Sequence, residues 1–451
     1  MAIDKIIDRA ATISITGVSD NANTSTGALD IPAGTTAQRP GSPTSGNIRF
    51  NTEIESTEIY DGTAWGKVSP LTPNISSITG NIFSGASTNL TLSGTNFLSS
   101  NLVVGFTPSG GSETTVTVTP TNDTSATVTI PAAIYGESVG VSIAIRVTNS
   151  DNRTSSSVNK TVVVLPSGGT VTTSGDYRIH TFNTSDDFIT PVTITGVEYL
   201  IIAGGGAGGG HYYAGGGGAG GYRTNVSGQS SGGGGSSESS MNLTAATYPV
   251  VIGAGGTART TQVAGGDGGD SSFNSIVSIG GGGGAGGSDA PRSGGSGGGA
   301  RSTGSGGASG TANQGFAGGG SSGSTNSYGA AGGGGASAAG TNGALGVVGN
   351  GGDGVSSNIT GSPVTRAGGG GGASGAFDAP AGEGLGGAGG GGRGGDYESG
   401  GGAAGIQPVD GTINTGSGGG GASHIANISG SAGSAAGGKG VVIIRYNLTT
   451  L

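Results

Sequence analysis

Glycine is concentrated in one part of this chain. Of its 108 glycines, 93 lie in the 284 residues from Gly168 to Leu451, close to one residue in three. They gather in runs at 215–218, 232–235, 280–284, 332–335, 368–372, 389–392 and 418–421, with segments of uneven length between them. Glycine has no side chain to bury and loses more backbone freedom on folding than any other residue. Such a region cannot build an ordinary core. It is either disordered, as a flexible linker would be, or held by backbone hydrogen bonds between extended glycine chains. Strict Gly-X-Y spacing is missing and Pro totals 15, so a collagen triple helix is set aside.

Apolar segments bracket the glycine and favour order. Tyr177-Arg178-Ile179-His180-Thr181-Phe182 and Val197-Glu198-Tyr199-Leu200-Ile201-Ile202-Ala203 precede it, and Gly440-Val441-Val442-Ile443-Ile444-Arg445-Tyr446 closes it. Tyr248-Pro249-Val250-Val251-Ile252 falls between them. Continuous apolar runs of this length fit strands buried on both faces. A glycine helix with three residues per turn can bond to neighbours on several sides, because no side chain keeps them apart. The expectation is an ordered polyglycine II sandwich domain framed by β-strands, spanning 168–451, with His180 on a strand surface.

The first 168 residues have different periodicities. Ile3, Ile6, Ile7 and Ala10 have helical spacing within a short N-terminal segment, 1–35, expected to anchor the chain. A module at 36–68 follows the breaker cluster Arg39-Pro40-Gly41-Ser42-Pro43. It holds Arg49, Asn51-Thr52, an Asp61-Gly62 turn after Tyr60, and the single Trp, Trp65. Residues 69–165 alternate apolar and polar at 89–93, 115–119, 126–130 and 139–147, the period-two pattern of a β-sandwich. Pro166-Ser167-Gly168-Gly169 reads as a linker. The fold class is therefore all-β.

Three resemblances attach to these residues. The 36–68 module, through Arg39-Pro40, Arg49, Asn51-Thr52, Tyr60-Asp61-Gly62 and Trp65, resembles a segment repeated in tailed-phage fibre and virion proteins. Pro73-Asn74-Ile75-Ser76-Ser77-Ile78 with Leu92-Ser93-Gly94-Thr95-Asn96-Phe97 resembles the IPT/TIG immunoglobulin-like family over about ninety residues, which implies a spacer or binding module. The stretch 170–447 resembles the glycine-rich domain of phage appendage proteins. Tyr199–Ala203 running into Gly204, Tyr248–Gly253, Gly265–Phe273 and Gly440–Tyr446 carry that likeness. Relatives of the last kind include phage tip adhesins, in which glycine runs pack as polyglycine II helices and the intervening loops contact the bacterial receptor.

Little else in the sequence points to chemistry. Gly-x-Gly-x-x-Gly recurs by chance at this glycine content, with no helical period to complete a dinucleotide site. Residues 433–439 imitate a phosphate loop but lack the following Ser or Thr. Gly265-Gly266-Asp267-Gly268-Gly269-Asp270 is half of a calcium nonapeptide, and Asn350-Gly351-Gly352-Asp353-Gly354 is a partial echo; such repeats work in tandem, so both read as turns in glycine runs. His180, His211 and His424 lack paired metal-ligand spacing. No nucleophile, base and orienting acid can be nominated, and no paired carboxylates mark a glycosidase. No enzyme activity, cofactor or metal is therefore expected.

Net charge is −9 with only 17 Lys and Arg, which disfavours nucleic acid and anionic membranes as partners. There is no Cys, so stability does not depend on disulfides. Neither a secretory signal nor an apolar run long enough to span a bilayer is seen. Most large side chains of the glycine-rich stretch fall between its runs. The candidate contacts for a receptor are His211, Tyr212, Tyr213, Tyr222, Arg292, Phe316, Tyr328, Phe377, Asp378, Asp396 and Tyr397, expected to project from the lattice ends. Together with the resemblances, these features predict a virion tail-fibre or receptor-binding protein. It would attach by its N-terminus to other virion proteins, recognise a bacterial outer-membrane protein or polysaccharide, and form a homotrimer, since the 36–68 module is too small to bury Trp65 alone. The competing expectation is a structural fibre or decoration protein without specific recognition.

Overall fold

The computed structural model describes residues 31–68, 72–98, 101–303, 305–323, 329–374, 382–396, 405–423 and 433–451. The helically spaced residues Ile3, Ile6, Ile7 and Ala10 lie outside them, as does His424. The chain divides into two compact units, Met1–Thr72 and Pro73–Leu451. Among the described residues no helix is long and apolar enough to cross a membrane.

The first unit is a four-stranded sheet, ordered Ala33–Gly34, Ile48–Asn51, Ser56–Tyr60, Trp65–Lys67. Its buried residues, among those described, are polar: Arg49, Asn51 and Glu58. The Glu58 carboxylate accepts from Arg39 at 3.1 and 2.6 Å and from Asn51 at 3.2 Å, with Arg49 Nε 3.4 Å away. The Arg39 hydrogen bond leads in holding Glu58 below the usual carboxylate range. Asp61 accepts backbone N–H bonds from Ala64 and Thr63, which lower its pKa to about 2 and fix the turn. Trp65 packs on Tyr60 with ring centroids 5.6 Å apart and stays partly exposed.

In the second unit, residues 73–165 form a β-sandwich. One sheet is ordered Ser125–Thr129, Asn89–Thr95, Asn74–Thr79; the other is ordered Ile82–Phe83, Val158–Val163, Ser142–Thr148, Leu102–Pro108, Thr114–Val118. Alternate residues point inward, so Leu90, Leu92, Val104, Phe106, Ile143 and Ile145 meet in a dry core.

The framing strands form two further sheets. The larger runs Thr170–Ser174, Tyr177–Phe182, Val441–Asn447, Ile194–Ile202, Tyr222–Thr224, with Met241–Leu243 also paired to Ile194–Ile202. The smaller runs Asp186–Thr190, Ala246–Val251, Ser271–Phe273, Ile276–Ser278. Phe182, Phe188, Tyr199, Phe273, Ile444 and Tyr446 pack together, joined by Phe83 from the sandwich. Leu200, Ile202, Tyr222 and Ile443 fill the opposite face of the larger sheet. Its central strands are thus covered on both sides, which is why they read as continuous apolar runs. Asn81 adds a tie between sandwich and frame, donating through its backbone and side chain to the Leu451 carbonyl at 3.1 and 2.9 Å.

His180 is not on a surface. It is fully buried, between the Gly168 carbonyl at 2.8 Å and the Tyr446 hydroxyl at 3.1 Å, with Phe188 edge-on. The alternation seen in the sequence placed it correctly on a strand, but both faces of that strand are covered. Burial leads in lowering its pKa to about 4.

The glycine runs form an ordered lattice. Along residues 203–210, Ala203, Gly206 and Gly209 donate to Gly221, Gly218 and Gly215. Gly204, Ala207 and Gly210 donate to Gly269, Gly266 and Val263, while Gly205 and Gly208 donate to Gly438 and Ala435. Bond direction repeats every third residue, the signature of a threefold polyglycine II helix. Residues 214–221 occupy the middle. They donate to runs 416–422, 279–285 and 331–334 and accept from 203–209, 296–299 and 370–373, giving six neighbours. Only Gly, Ala and Ser occupy 214–221 and the residues 203–210, 280–285, 296–299, 331–334, 370–373 and 416–422 around it. The approach is too close for more: a Cβ on Gly217 would run into the carbonyl oxygen of Gly206.

Candidate functional site

The central glycine helix begins at an aromatic turn. His211 and Tyr213 have φ of 61° and 54°, a left-handed conformation that costs energy for bulky side chains. The His211 and Tyr212 rings stand edge to face at 3.7 Å, and Tyr212 tilts against Tyr213 at 5.9 Å. Tyr212 and His211 remain half-buried, whereas Tyr213 is 7% exposed and its carbonyl accepts from Ser302. The expectation that all three rings project is therefore corrected for Tyr213, which plugs the lattice end. Asp396 belongs to the same end: it follows Gly395, which bonds to Gly421, beside the Ala422 carbonyl that accepts from Ala214.

The other candidates are distributed differently. Tyr222 is fully buried on the strand at the opposite end of the central helix, and burial leads in raising its phenol pKa to about 12. It is a core residue, clustered with Leu200, Ile202 and Ile443 of the larger sheet and with Ile359. Phe316 is half-buried and sits inside a run, its N–H bonded to Gly335 and its carbonyl to Gly297, so it is not a loop tip. Arg292 is exposed and pairs with Asp267 at 3.2 Å on the lattice flank. Tyr328, Phe377, Asp378 and Tyr397 lie outside the described residues.

The profile of a glycine-rich domain family matches residues 181–447, more than half of the chain. This chain belongs to that family. No curated protein matches it.

Within the glycine-rich domain, the two Asp- and Asn-bearing motifs act as lattice edges. Asp267 and Asp270, three residues apart, accept the N–H groups of Gly283 and Gly280, also three apart. Asn350 and Asp353 accept in the same way from Leu385 and Ala388. At the second motif the following glycines, Gly351 and Gly354, donate back to the carbonyls of Leu385 and Ala388. Asn342-Gly343 on Gly320 and Asp410-Gly411 on Ala436 repeat the clamp. These side-chain oxygens replace backbone acceptors where the lattice runs out of neighbours. Among the described residues no cluster of three or more His, Cys, Asp or Glu could hold a metal ion.

Two charged groups make contacts that the sequence does not signal. Glu58 is the hub that Arg39, Arg49 and Asn51 serve, and it stood inside the recognised segment unassigned. Arg223 and Glu238 make a two-point pair at 2.7 and 2.8 Å beside Tyr199. Only their proximity in the fold, fifteen residues apart, reveals them.

Proposed function

We propose that this is a receptor-binding protein of a tailed-phage virion, attached by its N-terminal segment and recognising the bacterial surface through the far end of its glycine lattice. The reading is non-enzymatic: the 73–165 sandwich serves as an IPT/TIG-like spacer and the lattice as a rigid mount. The observation that carries it is the His211-Tyr212-Tyr213 turn. Tyr213 anchors the turn in the lattice end, while His211 is kept in left-handed backbone and the rings of His211 and Tyr212 stay half-buried beside it, in a chain where glycine at 211 would relieve that strain. Such retention points to selection for the side chains, and a rigid mount limits the entropy lost when a partner binds.

Assembly enters the same reading. The sheet of the first unit turns its charged network inward and leaves Ile48, Phe50, Ile59 and Val68 at 36–46% exposure. Ile48 faces Ile59 across the strands, so the exposed residues share one apolar face. This supports a homotrimer joined through that module, carrying separate recognition heads. A monomer in light scattering of the intact protein at micromolar concentration would refute that part.

Competition tests recognition. Purified protein should block adsorption of the phage that carries it, and Tyr212→Ala should weaken the block about tenfold or more, as expected for an aromatic hot spot. Tyr213 is left intact because it is buried. Blocking that Tyr212→Ala leaves unchanged would move recognition elsewhere; no blocking by the wild-type protein would favour a structural fibre.

A further inference from the structure

A polar cleft of about 920 Å³ opens at the strand end of the glycine-rich domain, away from the aromatic turn. Its volume is in the range of small-molecule sites. The floor is a bonded chain. The Tyr199 hydroxyl donates to Glu238 at 2.7 Å, Arg223 grips the same carboxylate at 2.7 and 2.8 Å, and Arg223 Nη1 reaches the Val277 carbonyl at 2.9 Å. One cation and one anion therefore cancel, and among the described residues no other charged residue lines the cleft. Ser236, Ser239, Ser240, Asn274, Ser275 and Asn313 line it with hydroxyls and amides.

Turns bring three of these side chains to the cleft. Asn274 and Ser275 are the two central residues of the tight turn between the paired Phe273 and Ile276, with φ of 44° and 65°, the left-handed geometry such a turn takes. Asn313 has φ of 60°, a conformation that Asn adopts readily.

We propose that this cleft binds a neutral oligosaccharide. The amides and hydroxyls of the lining supply the paired donors and acceptors that sugar hydroxyls need, while Met241, Ile276 and Ala312 add apolar surface for C–H faces. Charged ligands would find no uncompensated partner. A peptide adding to the edge strand Ile276–Ser278 would meet Arg223 already on the Val277 carbonyl.

The test uses the full chain and a panel of neutral tri- to hexasaccharides built from glucose, galactose, mannose or N-acetylglucosamine, with binding read by calorimetry. At least one member should bind. The triple variant N274G/S275G/N313G keeps a backbone that glycine accepts, so its melting temperature should be unchanged or higher while affinity falls at least tenfold. Ser240→Trp, which puts a bulky ring into the lining, should give the same loss. No binding across the panel, or binding that both variants retain, overturns the proposal. The aromatic turn is a separate surface, so Tyr212→Ala should leave this binding intact even where it abolishes adsorption blocking.

Discussion

In the sandwich of residues 73–165, Leu92, Phe106 and Ile145 meet between the two sheets. In the glycine lattice the chains touch backbone to backbone, and interior runs carry nothing larger than Ala or Ser around residues 214–221. The first interior is built from transferred apolar surface. The second is built from hydrogen bonds whose directions rotate by a third of a turn per residue. Their sensitivities should therefore be opposite. Removing atoms harms the sandwich and adding atoms harms the lattice.

The largest effect should come from adding atoms to the lattice. A Cβ at Gly370 would strike the Gly419 carbonyl oxygen, which is backbone and cannot swing away. Gly370→Val is expected to abolish cooperative melting of the glycine-rich domain in calorimetry. An unchanged melting profile would sink the view that close backbone contact holds it. The converse in the sandwich is Phe106→Ala, with a fully buried ring removed. It should cost about 3–5 kcal/mol in chemical denaturation. A loss below about 1 kcal/mol would mean the sandwich relies on something other than its side-chain core.

The same contrast explains what was legible in the sequence. Sandwich and frame strands announce themselves through side chains: alternation at 89–93 lies in the strand Asn89–Thr95, that at 126–130 overlaps all but the first residue of Ser125–Thr129 and runs one residue past it, and the apolar segment at 441–446 lies in Val441–Asn447. The runs announce that a lattice forms but not which run meets which, because glycine carries no side chain to specify a partner. That residues 214–221 sit at the centre could not be read from composition. The candidate site was legible in part for a related reason. Large residues between runs were expected to project, yet Tyr222 and Tyr213 found cover from the frame and the lattice end, and Asp267 and Asp270 turned to N–H groups of the next run.

The frame couples the two kinds of interior, and His180 tests it by pH. Folded, its pKa lies at about 4, against 6.5 for the free imidazole. Between these values the unfolded chain takes up a proton that the folded protein excludes. The stabilisation is present above about pH 6.5 and declines as pH falls towards 4. The full decline is about 3 kcal/mol. Denaturation of wild type at pH 7 and pH 4 should show that loss, and His180→Gln should flatten its share of the slope. An identical slope in the variant would assign the pH dependence to other groups.

The smallest effect should appear where side chains matter to the lattice at all, at its edge. Asp353 Oδ1 accepts the Ala388 N–H at 2.8 Å, and Gly354 donates to the Ala388 carbonyl at 2.8 Å. The bond is exposed, so water can replace much of it, and Asp353→Ala should cost only about 1 kcal/mol. Asp353→Asn keeps a carbonyl acceptor and should lie closer to wild type, since the clamp needs an oxygen rather than a charge; Asn350 already serves Leu385 in that way. Hydrogen exchange reads the site directly. The Ala388 amide should exchange faster in Asp353→Ala and near the wild-type rate in Asp353→Asn, with Gly217 and Gly370 in the interior unaffected. Faster exchange at Gly217 and Gly370 as well would mean that the edge clamps hold the whole lattice in register, and would weaken the contrast between a backbone-built interior and its side-chain rim.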